Sequence, residues 1–173
     1  QLTSGTVPEA ALASSVFPAG HVIQVVSATK TDTQSSTSTD FDISGLQPSI
    51  TASQTGNKIL IIASISWGHT PQYIYFKLRR DSTDLLLGDA ASTRARGLTH
   101  ARANTADDLH HTTLTFLDTA PDTNSHTYKV RLSGATINSN YPFYINRIYG
   151  ANDSDNFYIV RGASSMVLME VQQ

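Results

Sequence analysis

Lys58-Ile59-Leu60-Ile61-Ile62-Ala63-Ser64-Ile65-Ser66-Trp67 alternates with a period of two. Ile59, Ile61, Ala63, Ile65 and Trp67 share one parity, and Lys58, Ser64 and Ser66 share the other. Successive side chains of a strand point to opposite faces, so the stretch reads as a β-strand with the first set in a core. Leu60 and Ile62 interrupt the polar parity, which means that the second face is partly covered as well. A sandwich sheet lying against a neighbouring subunit would have this property.

The pattern continues on both sides. Gly68-His69-Thr70-Pro71 breaks the strand, and Tyr73 to Arg80 follows with Ile74, Phe76 and Leu78 inward and Tyr75, Lys77 and Arg79 outward. A turn is expected at Asp81-Ser82-Thr83-Asp84, then an apolar stretch at Leu85-Leu86-Leu87. Upstream, Val22-Ile23-Gln24-Val25-Val26 is a short apolar strand, and Asp40-Phe41-Asp42-Ile43 alternates. Residues 90–108 have weak periodicity and read as a long connection with room for a helical turn. Beyond it, Thr112 to Leu117 alternates with Leu114 and Phe116 in register, and Tyr128, Val130 and Leu132 alternate with Lys129 and Arg131. Pro121-Asp122-Thr123-Asn124-Ser125 and Asn138-Ser139-Asn140 carry turn chemistry. Tyr144 to Tyr149 and Ser164 to Val171 complete about eight to ten strands, with no amphipathic helix, the pattern of an all-β sandwich or barrel.

Composition agrees with that class. The chain has 173 residues, enough for one well-cored domain, and only 15% of them are charged. Ser and Thr make up roughly a quarter, against an ordinary mix in which charge is more abundant. Thr suits the half-exposed face of a strand and Ser suits turns. The net charge of −2 provides no basic field for nucleic acid and no polybasic stripe for a membrane surface. No apolar run approaches the length of a membrane-spanning helix. With no cysteine there is neither a disulfide nor a thiolate metal site. Residues 1–20 carry Pro, Gly and small residues and read as an N-terminal arm or stalk, which leaves 21–173 as the folded domain.

Catalytic and metal chemistry is not written into the motifs. His110 and His111 neighbour Asp107 and Asp108, with His100 upstream, but adjacent strand residues face opposite ways and cannot share one ion. Asn152-Asp153-Ser154-Asp155-Asn156 begins like a calcium loop yet lacks its central Gly and closing Glu, so an Asx-bonded turn is the simpler reading. The only glutamates are Glu9 in the arm and Glu170 in the last strand, and no acid–base pair of the glycosidase kind is visible. Neither a nucleophile elbow nor a phosphate loop is present. The expectation is a protein that is not an enzyme, with no cofactor, no metal and no catalytic residue. Aromatic residues gather near the C-terminus among turns: Tyr141, Phe143, Tyr144, Tyr149, Phe157 and Tyr158. Phe143 and Phe157 are assigned to packing. Tyr141 and Tyr144 are the candidates for receptor binding, because Tyr presents a large rigid face with a polar handle.

Several stretches together resemble one family. Phe17-Pro18-Ala19-Gly20-His21-Val22-Ile23-Gln24-Val25-Val26 is similar to the opening of virion domains of tailed phages. Asn57-Lys58-Ile59-Leu60-Ile61, Arg79-Arg80-Asp81 followed by Leu87-Gly88-Asp89-Ala90, and Ser164-Ser165-Met166-Val167-Leu168-Met169-Glu170-Val171 resemble later landmarks of the same domains. Ser4-Gly5-Thr6-Val7-Pro8 looks like a stalk repeat of phage fibres. The resemblance implies a jelly-roll β-sandwich of the C1q/TNF-like kind, a homotrimer on the outside of a virion. It implies either the tip of a tail fibre, bound to other virion proteins through the arm and to a host-surface glycan, or a capsid decoration (cement) protein without a receptor. A lectin and a glycan-degrading enzyme are the remaining alternatives.

Overall fold

The computed structural model describes residues 18–70, 72–105, 108–149, 157 and 159–173. The expected arm falls almost wholly outside these, as do Asp107, Tyr158 and the Asn152–Asn156 turn. The described residues form twelve strands: β1 (Val22–Lys30), β2 (Gln34–Ser36), β3 (Asp40–Asp42), β4 (Ser49–Thr51), β5 (Lys58–Gly68), β6 (Tyr73–Arg80), β7 (Thr83–Leu85), β8 (Thr99–Arg102), β9 (His110–Thr119), β10 (Ser125–Ser133), β11 (Phe143–Ile145) and β12 (Ser164–Val171). No helix occurs among the described residues. The protein is all-β, with two antiparallel sheets stacked as a β-sandwich.

Several short strands lie end to end, so each sheet is four strands wide. In sheet I, β12 pairs with Lys58 to Ser64 of β5 and β9 pairs with Lys58 to Trp67, which puts them on opposite edges of β5. Past the start of β12 its place beside β5 passes to β11, opposite Trp67 and Gly68. The outer lane changes in step, since β1 pairs with β12 and β2 with β11. The lanes therefore run β1/β2, β12/β11, β5, β9. In sheet II, β10 pairs on one edge with β3 and β4 and on the other with β6. The far edge of β6 takes β7 and then β8.

The alternation read from Lys58 to Trp67 is the interior of the sandwich. Ile59, Ile61, Ala63, Ile65 and Trp67 are buried, and they meet Ile74, Phe76 and Leu78 of β6 and Tyr128, Val130 and Leu132 of β10 in one cluster. Removing such side chains from water supplies most of the drive to fold. Trp67 anchors one end, stacked between His110 at 4.5 Å and Phe143 at 5.6 Å, and its Nε1–H donates to Thr112 Oγ1 at 2.9 Å.

The lane change in sheet I leaves backbone groups without ladder partners inside the fold, and buried Asn146 supplies them. Its Nδ2 donates to Lys30 O at 2.8 Å and Asp32 O at 2.9 Å, while its Oδ1 accepts from Ser164 Oγ at 2.6 Å. Its backbone stands at φ 61°, a left-handed conformation that Asn tolerates better than most residues.

Three local expectations are corrected. The turn after β6 is only Asp81-Ser82, and β7 stops at Leu85, because Leu86 turns to φ 47° and into solvent. The connection 90–108 holds strand β8 and, in its described part, no helical turn. The strand expected from Tyr144 to Tyr149 is the three-residue β11, ended by the left-handed turn at Asn146.

Candidate functional site

Residues directly opposite in an antiparallel pair share a face. On the outer face of sheet I, Val25 lies opposite Met169, Met169 opposite Leu60, and Leu60 opposite Leu117. This apolar row crosses all four strands, about 14 Å at ordinary strand spacing. Its ends are open, with Val25 56% and Leu117 50% exposed. Val167 and Ile62 lie opposite each other in the adjacent row. The second face anticipated from Leu60 and Ile62 is thus a stripe that this chain leaves partly uncovered.

The outer face of sheet II is mostly a closed ladder of charge. Asp84 pairs with Lys77 and Arg79, and Asp42 and Asp40 pair with Lys129 and Arg131. The ladder stops where β8 joins β6. There Arg102 lies opposite Tyr73 and His100 opposite Tyr75, all four on the outer parity. With Ala95, Gly97, Leu98 and Thr99 these residues, apart from Arg102, line an open groove of about 400 Å³. The Arg102 guanidinium stands 5.3 Å from the Tyr73 ring centre, and the His100 ring lies 6.2 Å from it. Tyr73 is 58% exposed.

The two sequence candidates do not converge. Tyr144 lies opposite Gly68, on the outer face of sheet I at the far end from Leu60. Its ring meets Tyr149 edge-on at 5.8 Å and carries the Arg147 guanidinium at 4.6 Å. Tyr141 is exposed, in a tight turn where its backbone bonds Asn138. Among the described residues no ring contact joins Tyr141 to Tyr144. Of the two assigned to packing, Phe143 is buried and Phe157 is exposed.

The histidines and carboxylates have structural partners. His110 stacks on Trp67 while His111 points outward, with Nε2 2.7 Å from Ser64 Oγ, so the pair does diverge. Among the described residues no three His, Asp or Glu side chains gather as a metal site. Asp118 is buried and accepts from Tyr128 Oη at 2.8 Å and from Arg80 Nη1 through the same oxygen. Burial, and then the Asp118 carboxylate, push the Tyr128 hydroxyl above its usual range. Glu170, fully buried, accepts from Ser53, Asn57 and Gln24.

The groove escaped sequence reasoning. Tyr75 read only as an outward residue, and Thr99 to Arg102 has no apolar alternation to mark it as a strand. The available signal was Tyr73 and Tyr75 two apart on a polar parity. No protein-family model matches the chain, and no curated protein matches it either.

Proposed function

We propose that the chain is a virion structural domain of a tailed phage, a jelly-roll that assembles as a homotrimer and forms the receptor-binding tip of a tail fibre. The observation that carries the assembly is the apolar row Val25–Met169–Leu60–Leu117, left partly open on sheet I. A closed ring of identical subunits covers such faces without leaving a free one.

The strand order supports the jelly-roll. The chain passes from β1/β2 in sheet I to β3/β4 in sheet II, back to β5, then to the β6–β7/β8 pair, and returns through β9, β10 and β11/β12. This alternation between sheets, with one hairpin pair inside sheet II, is what supports the double Greek key of a jelly-roll. The phage reading rests on the resemblance, whose residues in the described part belong to β1, β5, the corner after β6 and β12. A non-catalytic role is supported by Asp118 and Glu170, whose buried oxygens are held by structural donors. On this reading the domain sits at the particle surface, the arm meets other virion proteins, and the ligand is a host glycan.

Light scattering on residues 1–173, with a glycan array alongside, tests the reading. A mass of three chains that falls to one in Leu60→Lys, with binding to any host glycan, supports it. A monomer that binds no glycan overturns it in favour of a decoration protein that assembles only on its particle.

A further inference from the structure

The groove between β6 and β8 has the chemistry of a site for acidic sugars. Tyr73 and Tyr75 offer two rings on one strand face, and sugar rings pack their C–H faces on such surfaces. Neither tyrosine hydroxyl is held by another described residue. The segment from Gly88 to Asp108 carries Arg94, Arg96 and Arg102 together with Asp89, Asp107 and Asp108, within a molecule of net charge −2. No described carboxylate forms an ion pair with these arginines, whereas every charged residue of the neighbouring ladder is paired. Arg96 Nε is tied to Gly88 O at 2.6 Å, which fixes the loop that walls the groove. Arg102 rests over Tyr73 at 5.3 Å with no described carboxylate on its fork, and a guanidinium in that position matches a carboxylate with two parallel hydrogen bonds.

We infer that this groove binds a carboxylated oligosaccharide, a uronate or sialate chain, with Tyr73 and Tyr75 as the sugar platform and Arg102 as the carboxylate clamp. This deepens the attachment reading and rests on it, and it moves the site from Tyr141 and Tyr144 to the opposite sheet. Because Arg102 is exposed, its attraction is screened by salt, so affinity falls as ionic strength rises.

The test is calorimetric titration of the 173-residue chain with tetragalacturonate and with α2,8-linked tetrasialate, using the methyl ester of the first as an uncharged twin. The expected result is binding of at least one acidic probe, about tenfold weaker for the ester and weaker by a similar factor in Arg102→Gln and Tyr73→Ala, the loss of one charge-assisted bond or one stacking contact. Both side chains point to solvent, so thermal midpoint and native mass should hold. Tyr144→Ala should bind as the parent does. Binding that survives Tyr73→Ala and Arg102→Gln overturns the site. If only neutral glycans bind on the array, the acidic-sugar inference falls and the attachment reading stands. If no glycan binds at all, both fall.

Discussion

Gln24 and Glu170 face each other across β1 and β12 and are also joined by their side chains, Gln24 Nε2 donating to Glu170 Oε2 at 2.5 Å. The other carboxylate oxygen accepts from Ser53 N at 2.8 Å, Ser53 Oγ at 2.7 Å and Asn57 Nδ2 at 2.6 Å. One buried charge thus ties the first strand, the last strand and the loop before β5 together. Burial pushes the Glu170 carboxyl up, but the bonds from Gln24, Asn57 and Ser53 outweigh it and hold the group below its usual range.

Glu170→Gln should therefore destabilise the fold by about 2–3 kcal/mol at neutral pH, since hydrogen bonds to a charged acceptor are the stronger kind and one amide would then face another. The folded pKa lies below the unfolded value near 4.5, so this contribution is complete above that pH and is lost as pH falls through the folded value. Urea unfolding at pH 7 and pH 3 checks both statements. A gap between parent and variant as large at pH 3 as at pH 7 would contradict the linkage.

Asn146→Ala should cost about 2–4 kcal/mol, the sum of a buried and a part-buried carbonyl losing their donor and a non-glycine residue without a compensating side chain at positive φ. Asn146→Gly removes the second part only and should recover about 1 kcal/mol. Equal midpoints for the two variants would show that the left-handed backbone carries no strain.

Ile61→Asp places an unpaired charge in the middle of the core and should cost about 3–5 kcal/mol or abolish folding. Thr51→Asp, exposed on the outward parity of β4 in sheet II, should shift stability by no more than about 0.5 kcal/mol. Comparable losses in thermal melts would mean that the inward and outward parities are interchanged.

His126 is clasped by Asp81 at 2.6 Å and Asp122 at 2.9 Å. The Asp81 hydrogen bond, and after it that of Asp122, raise the imidazole pKa above 6.5 against the opposing effect of burial. A raised pKa stabilises fully below 6.5, and that support disappears as pH rises through the folded value. The thermal midpoint should accordingly fall between pH 6 and pH 8.5 in the parent. In His126→Gln that part of the slope should vanish, and an unchanged slope would assign it to other groups.

What the sequence made legible follows from where packing dominates. The inward parity of β5, β6 and β10 could be read because Ile61, Phe76 and Val130 each recur with period two over a long strand. Strand β8 could not, because Thr99-His100-Ala101-Arg102 pairs with an open edge of β6 through its backbone and owes little to its side chains. Leu86 misled for the converse reason: an apolar residue in an apolar run is turned out by a backbone angle that hydropathy does not record. The groove was invisible because it forms between Tyr73 and His100, 27 positions apart, only after β8 has docked. The paired lanes of sheet I were hidden likewise, since they depend on Asn146 reaching Lys30 and Asp32 across most of the chain.

Among the described residues strand β1 has a single neighbour, β12, and so does the corresponding edge of β5 along most of its length. During synthesis both must wait until residue 164 and beyond leave the ribosome, roughly ten seconds or more at ordinary elongation rates. Throughout that interval two unpaired strand edges, one of them on the strongly apolar β5, stand open to any similar strand nearby. Chains growing side by side on one message are the commonest source of such strands. Timing of translation, as much as affinity, then decides whether these edges close on their own chain or on another, and a holding chaperone acting before residue 164 appears would be expected to raise the yield.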